Sequence, residues 1–314
     1  MQPDIIHLHN LHSNYINYNR LFQYLSNRDI ATVITLHDCW FYTGKCFHYS
    51  QVGCMRWMEG CGQCPKLKSD TPSFFGDYTS QVCKERTDGI NSIRNVTIVG
   101  VSDWICNEAR KSLIKDKPIF RIYNSVDTLL FSPTRSNLRE KYKIGESDFV
   151  MMGLTKKFLL PSNIKVFEAI TNLLNSQTKL VLVGGDSNDN KKMSSNPNIV
   201  VINYVDSPSI MAQLYSMADI FVNVTREESL SLVNVECQAC GTPVLTYSAC
   251  GASETVPESF RVNIDDVDSM INKITNIREL GKSNYSSECI DWIKKRFTDT
   301  YENYIELYKL MLSK

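Results

Sequence analysis

The feature that most constrains this chain is an alternation. Short, continuous apolar runs rich in Val and Ile are separated by stretches with helical spacing. Asp4–His9, Ala31–His37, Val96–Val101, Ile119–Tyr123, Phe149–Leu154, Lys179–Gly184, Ile199–Asn203, Asp219–Val224 and Pro243–Tyr247 read as strands. Their apolar residues run on instead of alternating, as in strands covered on both faces of a parallel sheet. Tyr15–Ser26, Trp104–Leu113, Ile164–Leu174, Ser209–Met217 and Leu230–Ala239 read as helices. This order predicts an α/β, doubly wound architecture.

At 314 residues the chain has room for two domains. The polar, Pro-containing stretch after Phe131 and a short charged helix at Leu138–Tyr142 place a linker around 132–147. The expected division is 1–133, 134–296 and a C-terminal helix over 297–314, drawn from one or two helices within Cys289–Leu312. Lys+Arg and Asp+Glu are both 34, which argues against a broad nucleic-acid-binding face. No apolar run is long enough to span a bilayer and the opening residues lack a signal-peptide pattern, so the expected location is the cytoplasm.

The strongest chemical motif is Arg226-Glu227-Glu228-Ser229-Leu230-Ser231-Leu232, running through Glu236 to Gly241-Thr242-Pro243. It is a strand-end turn that opens a helix, and Gly241 with Pro243 closes that helix. Backbone amides at such a turn favour an anionic ligand such as a diphosphate. Glu236 stands about two helical turns beyond Glu228, where a carboxylate can accept hydrogen bonds from ribose hydroxyls. On spacing alone the simpler reading, one capping and one solvated Glu, is favoured.

The Glu228-(x7)-Glu236 pair with Ala239-Cys240-Gly241-Thr242-Pro243-Val244 resembles the signature of the retaining glycosyltransferases of family 4, which have the GT-B fold. Leu214–Val222, Asn124-Ser125-Val126-Asp127 with Phe131, Asp4–Asn10 and Thr35–Trp40 resemble the same family in its order, the last two its bacterial surface-polysaccharide branch. The resemblance implies a GT-B-like fold with two Rossmann-type domains facing a cleft. It implies sugar transfer from a UDP- or GDP-sugar to a glycan or lipid-linked acceptor, with retention and no metal required for catalysis. By resemblance, Glu228 contacts the transferred sugar, Glu236 holds the ribose, and Ser229, Leu230, Ser231 and Leu232 face the donor. His37 lies near donor sugar and acceptor, and Ser102 lies near the cleft, although the latter also reads as a helix cap. A neutral or protonated His at a strand end can donate to a sugar hydroxyl, and preorganised amides and cations stabilise a departing diphosphate. Peripheral association with the inner membrane face follows from the lipid-linked acceptor.

Two departures stand out. The family's diphosphate-gripping Arg and Lys follow the first strand of its C-terminal domain. Here the stretch from Gly153, itself a donor-binding candidate by its place in this resemblance, reads Leu154-Thr155-Lys156-Lys157, with Ser162-Asn163 at the usual Lys-Gly. Lys156 and Lys157 either supply the cation from a shifted position or are solvated loop charges. The chain also starts at what resembles a later strand of the N-terminal domain, so that domain is expected to be incomplete, with an exposed sheet edge. Both departures motivate an alternative: a catalytically impaired remnant or a nucleotide-binding partner subunit.

Five of eleven cysteines fall in a Trp/Tyr/Gly-rich insert over about 39–70, at Cys39, Cys46, Cys54, Cys61 and Cys64. Cys61-Gly62-Gln63-Cys64 has the gap of a zinc knuckle, and Cys46 and Cys54 would complete a structural zinc site, with His48 as a substitute ligand. Reduced buried thiols, or disulfides in purified protein, are the other readings.

Overall fold

The computed structural model describes residues 3–12, 15–193 and 195–313. The chain divides into two compact units: Met1–Asn124 with Glu227–Leu230 and Asp299–Lys314, and Ser125–Arg226 with Ser231–Thr298. The stretch 132–147 thus lies inside the second unit.

The first unit runs β1 (Ile5–Leu8), α1 (Tyr18–Ser26), β2 (Ala31–Leu36), α2 (Thr79–Ser92), β3 (Val96–Gly100), α3 (Asp103–Ala109) and β4 (Ile119–Arg121). Its sheet is parallel in the order β1-β2-β3-β4, with β1 at an edge. The second unit runs α4 (Leu138–Lys141), β5 (Phe149–Leu154), α5 (Thr155–Phe158), α6 (Ile164–Thr171), β6 (Thr178–Gly185), α7 (Ser187–Met193), β7 (Ile199–Asn203), α8 (Pro208–Met217), β8 (Ile220–Asn223), α9 (Leu232–Ala239), β9 (Val244–Tyr247), β10 (Arg261–Val262), α10 (Val267–Leu280) and α11 (Ser283–Arg296). Its sheet is also parallel, in the order β10-β9-β8-β5-β6-β7. Strand order therefore reverses between β5 and β8, and the crevice at the carboxyl ends of such a pair is where this architecture holds ligands.

The last helix, α12 (Thr300–Leu312), belongs to the first unit. Leu307 and Met311 join Ala31, Val33, Val99 and Ile122 in one core cluster, with Ile5, Tyr304 and Tyr308 packed against it. Tyr304 and Tyr308 also reach Thr35 Oγ1 (2.8 Å) and His7 Nδ1 (2.6 Å).

Helix α2 escapes the sequence pattern for a physical reason. Its buried face is Thr79, Cys83, Arg86, Thr87 and Ile90, which has helical spacing but little apolar character. Gly89 on that helix lets α1 approach: a Cβ there would stand 2.7 Å from Phe22 Cδ2. Helix α10 also goes unassigned from the sequence, although Asp266 caps it (Ser269 N to Oδ1, 3.0 Å) and Met270, Ile274 and Ile277 recur at helical spacing on its buried face.

The Cys-rich insert is held by aromatic packing. Trp57, 1% exposed, stacks on Tyr49 (4.8 Å between ring centroids) and packs beside Tyr42 (5.4 Å). None of the eleven cysteines is joined in a disulfide. Cys46, Cys54, Cys61 and Cys64 do line one small cavity, of about 20 Å³. Among the described residues, however, no three His, Cys, Asp or Glu side chains are gathered as a metal site. The expected zinc on these four cysteines therefore finds no support. Cys61 Sγ instead accepts the Gly44 N–H (3.2 Å) and pairs with Cys83, and burial pushes the Cys46 thiol up to about 12.

Candidate functional site

In the second unit the strands β5 and β8 deliver the candidate donor-side groups. Gly153, near the end of β5, is a packing glycine: a Cβ would stand 2.3 Å from Phe158 Cε2 and 3.0 Å from the Val222 carbonyl oxygen. The two lysines that follow differ. Lys156 is bound by Asp186 (2.8 Å) and Asp189 (2.6 Å), which leaves its charge compensated. Lys157 Nζ reaches Thr225 Oγ1 (3.2 Å), just past β8.

Helix α9 starts after Ser231. The Ser231 hydroxyl accepts from Asn223 Nδ2 (3.1 Å) and makes no cap to the helix, so no N-cap side chain occupies the first-turn amides of α9. Those amides carry the positive end of the helix dipole. Leu232 is exposed at the first helical position. Glu236 is half-buried on the next turn, where Tyr215 donates to Oε2 (3.1 Å). Burial raises its carboxyl above the usual range, and the Tyr215 bond pulls the other way.

Arg226 went unnoticed from the sequence as a donor-side group. Its Nε donates to Asn163 Oδ1 (3.0 Å) and its Nη2 to the Ser162 carbonyl (2.5 Å), while Asp265 pairs with the guanidinium. Asn163 is 1% exposed and donates through Nδ2 to the carbonyls of Lys157 and Val224 (2.9 Å each). A guanidinium thus stands beside Ser162-Asn163, where the sequence has no basic residue. Its place in the chain, directly after the β8 run, is the one signal that could have found it.

In the first unit, which includes Glu227–Leu230, a cavity of about 440 Å³ brings together His37, Glu228, Ser229 and Leu230, with His12 and Asp38 also on its wall. The Ser229 hydroxyl is buried without a hydrogen-bond partner. Glu227 ties this segment to the insert by accepting the Gln51 N–H (2.9 Å). Ser102, by contrast, is fully buried and caps α3 by accepting the Ile105 N–H (3.2 Å), so its hydroxyl has a structural task.

His37 sits just past β2 in a histidine cluster. His9 Nδ1 and His37 Nε2 are 2.9 Å apart, so one ring donates to the other. His7 packs tilted against His9 (4.1 Å between centroids) and bonds Thr35 Oγ1 through Nε2 (2.7 Å). Burial, then the neighbouring histidines, lowers His7 and His37 to about 4, so both are neutral at pH 7. The clustering of His9, His12 and Asp38 here was not read from the sequence, although all stand at or just beyond strand ends.

The sequence profile described as glycosyl transferases group 1 matches residues 161–279, all within the span of the second unit's strands and helices apart from Glu227–Leu230. Among curated relatives, N-acetyl-alpha-D-glucosaminyl L-malate synthase of Bacillus anthracis is 23% identical over 164 residues, covering 51% of this chain and 43% of that protein. The capsular polysaccharide biosynthesis glycosyltransferase CapM of Staphylococcus aureus is 26% identical over 167 residues, covering 49% and 43%. The chain thus matches less than half the length of either relative. Among solved structures, sucrose-phosphate synthase from Thermosynechococcus elongatus superposes with a TM-score of 0.71 at 16% identity, over 99% of this chain and 74% of that one. Anabaena HepE in complex with UDP-glucose does so with a TM-score of 0.62 at 15% identity, over 98% and 78%. The fold is therefore GT-B-like, with two parallel-sheet α/β units, and residues 161–279 carry a match to the group 1 glycosyltransferases.

Proposed function

We propose that the chain is a retaining glycosyltransferase that moves a sugar from a nucleotide-sugar to a glycan or lipid-linked acceptor in bacterial surface-polysaccharide assembly, at the cytoplasmic membrane face. The observation that carries this reading is the β5/β8 switch point, with the N-terminus of α9, which Ser231 leaves uncapped, and Glu236 one turn beyond it. The amides take the diphosphate, and Glu236 takes the ribose hydroxyls in place of Tyr215. Lys157 supplies positive charge at the strand ends, and Arg226, already paired with Asp265, orders the Ser162-Asn163 turn beside it. The group 1 match and the UDP-glucose complex of a structural neighbour support a nucleotide-sugar donor.

In the first unit, Glu228 contacts the transferred sugar and neutral His37 hydrogen-bonds a sugar hydroxyl. No cofactor enters this scheme. The test is calorimetric titration with UDP and GDP. One nucleotide binds saturably, and Glu236→Ala weakens it about tenfold, which corresponds to ~1.4 kcal/mol. Unchanged affinity in the variant removes Glu236 from the ribose site.

A second reading has its own support. Lys156, one of two lysines that could serve the diphosphate grip from a shifted position, is held by Asp186 and Asp189. A chain with that charge cancelled binds nucleotide and turns over little. Saturable UDP binding with no release of UDP from UDP-sugars, with or without acceptor, selects it.

A further inference from the structure

A charge taken out of water is costly unless an opposite charge or strong hydrogen bonds meet it. Among the described residues of the first unit, two buried cations make no ion pair with a carboxylate. Arg86, in the middle of α2, is 2% exposed. Its Nη1 donates to the carbonyls of Trp40 (2.5 Å) and Thr43 (2.6 Å), while its Nε is buried without a partner. Its guanidinium lies 3.5 Å from the Trp40 ring centroid and 5.1 Å from that of Tyr18. Lys45 is 8% exposed, and its ammonium donates to the carbonyls of Lys66 (2.7 Å), Leu67 (3.2 Å) and Ser69 (2.7 Å).

Besides the Tyr18 hydroxyl and the Cys83 and Cys61 thiols, which bond each other, the acids nearest in effect are carboxylates already engaged. Asp38, whose charge Arg86 stabilises, pairs with His12 (3.3 Å) and accepts the Trp40 N–H (2.8 Å). Asp77, which feels Lys45, accepts from Cys64 N (2.7 Å) and Thr79 N (2.9 Å). Arg86 and Lys45 line one cavity of about 520 Å³, walled by the rings of Tyr18, Trp40 and Phe47. That volume is in the range of small-molecule sites. The cavity shares His12 and Phe47 with the one that holds His37 and Glu228.

We propose that this second cavity binds an anionic sugar, a hexose carrying a carboxylate or a phosphate, as part of the acceptor. The inference rests on the glycosyltransferase reading for the word acceptor, and on the geometry alone for the ligand class. Aromatic faces suit the C–H faces of a sugar ring. A guanidinium matches the paired oxygens of a carboxylate or phosphate. Carbonyls and ring faces meet these charges only as dipoles and quadrupoles, so the positive potential on the cavity wall favours an anion over a neutral sugar.

The test is titration of the full chain with D-glucuronate, D-glucose 6-phosphate and D-glucose, followed by saturation-transfer NMR, with UDP titrated on the same sample. At least one anionic probe binds ten times tighter than glucose, and the better one distinguishes a carboxylate from a phosphate acceptor. Arg86→Gln abolishes the preference. If that variant does not fold, Asn19→Asp at the exposed rim of the cavity is used; it weakens the anionic probe at least threefold and leaves glucose unchanged. Equal binding of all three probes, or no effect of Asn19→Asp, overturns the inference. UDP separates the two readings: UDP bound with no anion preference defeats the anion site alone, whereas anion preference without UDP binding keeps the site and defeats the donor reading.

Discussion

In the second unit the candidate chemistry stands on regular elements, at the ends of β5 and β8 and on α9. In the first unit it depends on an irregular insert of more than thirty residues that follows β2. Regular elements place a side chain through backbone hydrogen bonds that any suitable sequence makes. The insert instead depends on particular side chains: Trp57 against Tyr49 and Tyr42, Lys45 on three carbonyls, and Arg86 on two more. The first unit should therefore be more sensitive to single substitutions. The largest expected effect is Trp57→Ala, a loss of about 3–5 kcal/mol for a fully buried Trp. A chemical denaturation midpoint close to that of wild type would show that the insert tolerates loss of its central ring.

The second unit has its own tight spot, of a different kind. Gly153 faces Phe158 and a backbone carbonyl of β8, so Gly153→Ala overpacks the strand by about 1–3 kcal/mol. Resemblance assigned this glycine to the donor. If packing is its task, stability falls and UDP affinity in the folded fraction changes less than twofold. A variant of wild-type stability that has lost UDP would return Gly153 to the ligand.

The histidine cluster separates the units by pH. His7 and His37 fall from an ordinary 6.5 to about 4, so the unfolded chain takes up protons near pH 6.5 while the folded chain resists until about 4. Their contribution is constant above about pH 7.5, and stability declines as pH falls from 6.5 to 4. His9→Asn removes a neighbouring positive charge from protonated His37 and should make that decline shallower. The readout is the Tm against pH for wild type and variant. Parallel curves would mean that His9 has no part in holding His37 neutral.

The same contrast explains what the sequence discloses. Parallel strands buried on both faces announce themselves by Val and Ile, so Phe149–Leu154 and Ile199–Asn203 were readable to the residue. The motif around Glu228 and Glu236 was readable because a strand-end turn and a helix stop leave compositional marks. Helix α2 was hidden because Thr, Cys and Arg fill its buried face, and Arg86 was hidden with it. Arg226 was hidden because a guanidinium can reach Asn163 and Asp265 from a position distant in sequence. Cysteine spacing suggested a metal because spacing reports which thiols can meet, not whether aromatic rings already fill the space.

That last point yields the smallest predicted effect. If packing alone holds the insert, a thiol at its half-exposed edge contributes little. Cys64→Ser changes stability by less than about 0.5 kcal/mol, as for a surface position outside a network. EDTA leaves the Tm of the wild-type chain unchanged. A structural zinc would behave otherwise, because its binding free energy is folding free energy, and removing a thiolate or the ion would cost several kcal/mol. Trp57→Ala large with Cys64→Ser small keeps the insert as an aromatic core. Cys64→Ser comparable to Trp57→Ala, with a Tm that falls in EDTA and returns with added zinc, would show the thiols gathering around an ion and would make the first unit the more rigidly stapled of the two.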